Sequence, residues 1–85
     1  MKTEIQDKII KRYESLRKRD GHSISRMDVA LTLDAVDDAM GLDVDRLMGA
    51  DDINFMHDVA GMVGHIDPAT GQLLRGFRPR YVKDQ

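Results

Sequence analysis

The stretch NFMHDVAGMVGHID, residues 54–67, carries the side chains of this chain best suited to chemistry: His57, Asp58, His65 and Asp67, with Gly61 and Gly64 among them. An imidazole beside a carboxylate can begin a metal centre or an acid–base pair. The spacing disfavours both. His57 and His65 are eight residues apart, so on a helix they share a side but lie two turns from one another. Two zinc ligands on one helix sit about four residues apart. His22 is the only other histidine, and cysteine is absent, so neither a His/Cys zinc set nor a thiolate nucleophile can be assembled.

The many aspartates suggest calcium next. An EF-hand loop has Asp at its first position and Gly at its sixth. Setting Gly41 or Gly49 at the sixth places Val36 or Val44 at the first, and the pattern fails. Asp37–Asp38 and Asp51–Asp52 read more simply as helix caps and solvated faces. There is no glycine-rich phosphate loop and no G-x-S-x-G elbow. A non-enzymatic protein is therefore expected, with no catalytic residue, metal or cofactor. His57, Asp58, Gly61, Gly64 and His65 read instead as a structural seam. The histidines would hydrogen-bond across it to the backbone of the C-terminal tail, and another segment would pack close against the two glycines, unless the helix ends near Gly64.

Charge divides the chain in three. Residues 1–26 hold eight Lys/Arg against four Asp/Glu, residues 27–74 hold Arg46 alone against ten Asp, and residues 75–85 hold four Lys/Arg against Asp84. A basic–acidic–basic chain can neutralise itself by folding its ends onto its middle, the reading preferred over two patches for two partners. A length of 85 residues suits one domain with a modest core. The charged start and the lack of a long apolar run predict neither a signal segment nor a membrane span, and so a cytoplasmic protein.

These residues must be positioned by helices. Ile5, Ile9, Tyr13 and Leu16 form one stripe and predict a helix over 3–19, with Thr3 and Gln6 at capping-box spacing and Asp20–Gly21 as its stop. Lys8, Lys11, Arg12, Lys18 and Arg19 occupy its solvated faces. Ser25 and Asp28 open a second helix over 25–40, whose stripe of Val29, Leu33, Val36 and Met40 is widened by Met27, Leu31 and Ala35, so that it should meet two neighbours. Gly41 ends it, and Asp43 caps a short helical turn. Asp51 or Asp52 caps the third principal helix, 52–64. A turn follows at 67–71, with Gly71 at a position needing positive φ, flanked by Ile66 and Leu73 as a short hairpin or tight reversal. Pro79 forbids a helix through the tail, so 75–85 should be extended.

The expected fold is mainly α: a small single-domain bundle (1–85) of three principal helices plus a short helical turn, with a C-terminal β-hairpin or extended tail. Its core should contain Ile9, Leu16, Leu33, Val36, Phe55, Met56, Val59 and Val63. Two Phe and two Tyr make that core thin, which favours a homodimer. A helix-turn-helix reading of VDDAMGLDVDRL would carry Asp43 and Asp45 into a phosphate-lined groove and is disfavoured. Candidate partner-binding residues lie in the tail, Arg75, Phe77, Arg78, Arg80 and Tyr81; the plainer reading tucks Phe77 and Tyr81 into the core and pairs the arginines with the acidic middle.

The end of the chain, FMHDVAGMVGHIDPATGQLLRGFRPRY, resembles a family of small phage- and prophage-encoded proteins of unknown function. His57, Asp58, Gly61, His65, Ile66, Asp67, Thr70, Gly71, Leu73, Phe77, Pro79, Arg80 and Tyr81 carry the likeness, over the C-terminal third. The resemblance implies a phage or prophage accessory protein and transfers no catalytic residue. The expected function is a protein–protein interaction with a host or phage protein. The alternative is nucleic-acid binding, with tail arginines on phosphates and tail aromatics stacked on bases.

Overall fold

Ser25 and Asp51 begin their helices as the cap chemistry requires. Each is extended, and each side chain accepts a hydrogen bond from the backbone N–H three residues on, Asp28 at 3.0 Å and Asn54 at 2.9 Å. Asp43 does the same for Arg46. A computed structural model describes residues 1–17, 25–67 and 69–83. Among them are four helices: α1 Thr3–Arg17, α2 Arg26–Met40, α3 Val44–Gly49 and α4 Asp52–Val63. The expected Asp20–Gly21 stop and Pro68 lie outside the described residues.

Helices α1, α2 and α4 pack against one another in all three pairings. The radius of gyration, 11.8 Å, is the roughly 12 Å of a densely folded chain of this length. Their shared interior is lined by Ile9, Ile10, Tyr13 and Leu16 from α1, Val29, Leu33 and Val36 from α2, and Phe55, Val59 and Met62 from α4. Leu42, Leu47 and Val82 complete it from the connections, α3 and the tail. Met56 and Val63, expected inside, are partly buried and pack on its edge.

Gln6 is not part of a capping box. Its side-chain amide donates to the Ala30 carbonyl and to Asp34 of α2, both at 3.0 Å. Arg12 is not a solvated cation either. Its guanidinium donates to the Met48 carbonyl at 2.8 Å, the Ala50 carbonyl at 2.7 Å and Asp52 at 3.0 Å, and lies 4.2 Å from the centroid of Phe55. One side chain of α1 thus satisfies the end of α3 and fixes the start of α4.

Gly41 ends α2 at φ 71°, its N–H bonded to the Asp37 carbonyl, while the Asp37 carboxylate accepts from Leu42 N–H. The tail returns to this point. Asp43 N–H donates to the Tyr81 carbonyl and Lys83 N–H to the Gly41 carbonyl, an isolated antiparallel bridge centred on Leu42 and Val82. The expected C-terminal hairpin does not form, and no strand occurs among the described residues. The reversal at Asp67–Gly71 closes on the single bridge Ile66–Leu73. Gly76, at φ 87°, then turns the chain away, with Phe77 N–H on the Leu74 carbonyl, and Pro79 offers no N–H to extend a ladder.

The wide arc expected on α2 is also corrected. Met27 and Leu31 are 71% and 59% exposed and do not widen the contact: α2 meets both α1 and α4, as expected, through its Val29, Leu33 and Val36 side and the flanking Arg26, Ala30 and Asp34.

Arg12→Met keeps the length of the side chain and leaves the Met48 and Ala50 carbonyls without their donor. It should lower stability by about 2–4 kcal/mol, read as a lower urea midpoint at unchanged m. An unshifted midpoint would show that water replaces the guanidinium at no cost.

Candidate functional site

The residues singled out from sequence are gathered where the tail crosses α4. His65, just past the end of α4, stacks on Phe77 with ring centroids 4.1 Å apart and planes within 5°. Its Nδ1–H donates to the Gly61 carbonyl at 2.6 Å, since a carbonyl oxygen can only accept. One turn or more back along α4, the Arg80 guanidinium lies 4.0 Å from the Asp58 carboxylate and donates to Asn54 at 3.4 Å. Tyr81, half-buried, has the Arg46 guanidinium over its ring at 5.5 Å.

Asp58 is the unusual member of this group. Its side chain is 15% exposed, and its Oδ2 is buried with no hydrogen-bond partner among the described residues. Burial pushes its pKa above the ordinary carboxylate value, while Arg80, His57 and the Tyr81 hydroxyl pull the other way. Asp51, at the N-terminus of the same helix, is displaced in the opposite sense: hydrogen bonds from Asn54, backbone first, hold it below that value.

The seam expected between two glycines and a neighbour is only partly what is built. A Cβ placed on Gly61 would meet nothing within 4 Å among the described residues, so none of their segments packs close there, and His57 is exposed. Gly64 closes α4 instead, its N–H on the Ala60 carbonyl, which is the alternative of a helix ending at that residue. The tail residues are likewise divided. Arg75, Arg78 and Arg80 are exposed, whereas Phe77 and Tyr81 turn inward against His65 and Arg46.

Chemically this arrangement holds the tail. It brings no nucleophile onto a base, and among the described residues no three His, Asp or Glu converge to hold a metal ion. A groove of about 550 Å³ opens elsewhere, with Ile5, Val44 and Met48 at its apolar wall and Lys8, Lys83, Asp43 and Asp45 around it. The expected inward placement of Phe77 and Tyr81 is seen, both partly buried against the core, while the groups that cover them, His65 and Arg46, share no sequence period with the tail. No helix is long and apolar enough to cross a membrane among the described residues.

The model of DUF6874, a family of unknown function, matches residues 1–83. That match covers the helical part of the chain as well as its C-terminal third and carries no phage or prophage origin. No curated protein and no solved structure matches the chain.

Two outcomes follow from this geometry. Gly61→Ala adds a methyl group in open space and removes backbone freedom from the unfolded chain, so it should stabilise by about 0.5–1 kcal/mol; a loss of stability in thermal melting would restore a close neighbour at that position. For Asp58 the folded pKa stands above the unfolded one, so the native state carries a cost that appears as pH rises through the carboxylate range and persists above it. Asp58→Asn should then be at least as stable as the parent at pH about 7, and the difference should shrink on acidification toward pH about 4. A destabilised Asp58→Asn at neutral pH would mean that the Arg80 attraction outweighs burial.

Proposed function

The chain belongs to DUF6874, a family of unknown function, and from that premise we propose a non-enzymatic protein that acts by binding another protein. Its setting in this proposal is a bacterial cytoplasm, as an accessory of a phage or prophage; that setting comes from the resemblance of the C-terminal third. The observation that carries the proposal is the placement of large apolar side chains. Met27, Leu31, Ile53 and Leu74 are exposed, and Met27 and Leu31 stand one turn apart on a single helix. A small domain that buries Ile9, Leu33, Leu47 and Phe55 completely leaves this pair in water, where a partner can cover it. A homodimer, which a core poor in aromatics favours, is one form of the same reading.

Nucleic-acid binding by the tail is the competing reading, favoured by the exposed guanidinium of Arg75 and the neighbouring Arg78. The side chains that would stack on bases, Phe77 and Tyr81, are engaged by His65 and Arg46, which favours a protein partner.

Capture on the tagged full-length chain from bacterial lysate, with and without nuclease, separates the two. The expected result is one enriched protein that survives nuclease, or a dimer in sedimentation. Enrichment that vanishes with nuclease, falls steeply with salt and is lost in Arg75→Ala/Arg78→Ala would transfer the function to nucleic acid.

A further inference from the structure

The outward side of α2 is divided along its length. At 100° per residue, Met27, Leu31, Asp34 and Asp38 fall within about 60° of one another, opposite Val29, Leu33 and Val36, and Ala35 adjoins them. Met27 and Leu31 are 71% and 59% exposed. Asp38 is exposed, and the Asp34 side chain is 48% exposed while it holds Gln6 and lies 3.9 Å from the N-terminal ammonium. The strip is apolar at the start of the helix and acidic toward its end, and runs about 16 Å, close to three helical turns.

We propose that this strip is a docking surface for a cationic amphipathic helix of a partner protein. The inference deepens the protein-binding reading and rests on it. The partner's apolar side chains would cover Met27 and Leu31, and its lysines or arginines would meet Asp34 and Asp38. Its backbone is helical because α2 uses its own N–H and C=O groups internally and offers none along its side to an extended peptide. Two copies of the chain do not supply this partner through α2 itself. The one basic residue of α2, Arg26, is held by Asp7 and Glu14, so a parallel α2 pair sets aspartates near aspartates and an antiparallel pair sets them against Met27 and Leu31, with no free cation on either strip. The exposed lysines of α1, Lys8 and Lys11, have Glu4 and Ser15 beside them rather than exposed large apolar residues.

The probe is a synthetic leucine/lysine peptide of about five helical turns, with its leucine/glutamate counterpart as control. Both are titrated into the full chain, with amide shifts followed by NMR. Saturable one-to-one binding of the lysine peptide alone is expected, with shifts centred on α2. Met27→Gln/Leu31→Gln should weaken it at least about tenfold, as for a central apolar contact. Asp34→Asn/Asp38→Asn should weaken it too and flatten its salt dependence. Met27, Leu31 and Asp38 are exposed, so folding should persist, checked by circular dichroism.

Absence of saturable binding would overturn the proposal. So would equal binding of the glutamate peptide, or shifts centred on the α1–α3 groove. Self-association abolished by Leu31→Gln would overturn it in favour of a second copy. A nuclease-resistant lysate partner that still binds Met27→Gln/Leu31→Gln would remove this surface while leaving the protein-binding reading in place. Loss of every such partner from the parent chain would remove both.

Discussion

The fold depends on closing α4 against α1 across a link of two residues, and Arg12 is the group that makes the closure possible. Helix α3 ends at Gly49 and α4 begins at Asp52, so unpaired carbonyls of a helix end face the first helix at close range. Left without donors they would resist burial. The guanidinium supplies its planar set of N–H groups to Met48, Ala50 and Asp52, and its face covers Phe55. A lysine could not do all of this, having one ammonium centre and no flat face. Phe55 is fully buried, so the same contact that satisfies the polar link also sets the depth of the largest apolar side chain of α4.

That interaction is one instance of a wider pattern in which the basic ends fold onto the acidic middle. The N-terminal ammonium sits 3.5 Å from Asp37, and Arg80 approaches Asp58. Within the basic first segment itself, Arg26 reaches back to Asp7 and Glu14 of α1. Half-exposed pairs such as those of Arg26 are worth little each, typically under about 1 kcal/mol. Their effect is to choose which faces meet. The pairing does not exhaust the middle of the chain: Asp38 stays on the outside of α2, and the surface there remains acidic.

Much of the framework was legible because it rests on local rules. The stripes of α1 and α4, the caps Ser25, Asp43 and Asp51, and the positive φ of Gly41 and Gly71 follow from neighbours in sequence. What was misread depends on the angular position of single residues or on distant contacts. Arg12 falls within about 20° of Ile5 on the α1 wheel, so its place beside the stripe was available in principle, and charge alone hid it. Met27 and Leu31 are apolar and so suggest a broader α2 stripe, although the α2 wheel sets them opposite Val29 and Leu33. The tail was hardest. That Phe77 and Tyr81 pack inward follows from their apolar rings, but their partners His65 and Arg46 do not, and the bridge to Leu42 joins residues forty apart.

The tail and α2 divide the surface between them. By bridging to Gly41 and Asp43, burying Pro79 and Val82, and laying Phe77 on His65, the tail spends its apolar and aromatic side chains inside the molecule and keeps mainly cations outside. Helix α2 does the reverse on its outer side, holding Met27 and Leu31 in water beside aspartates while its inner side closes the core. An apolar contact with a partner needs surface that folding has left uncovered. The segment richest in aromatics has little of it, and the helix poorest in them has the most.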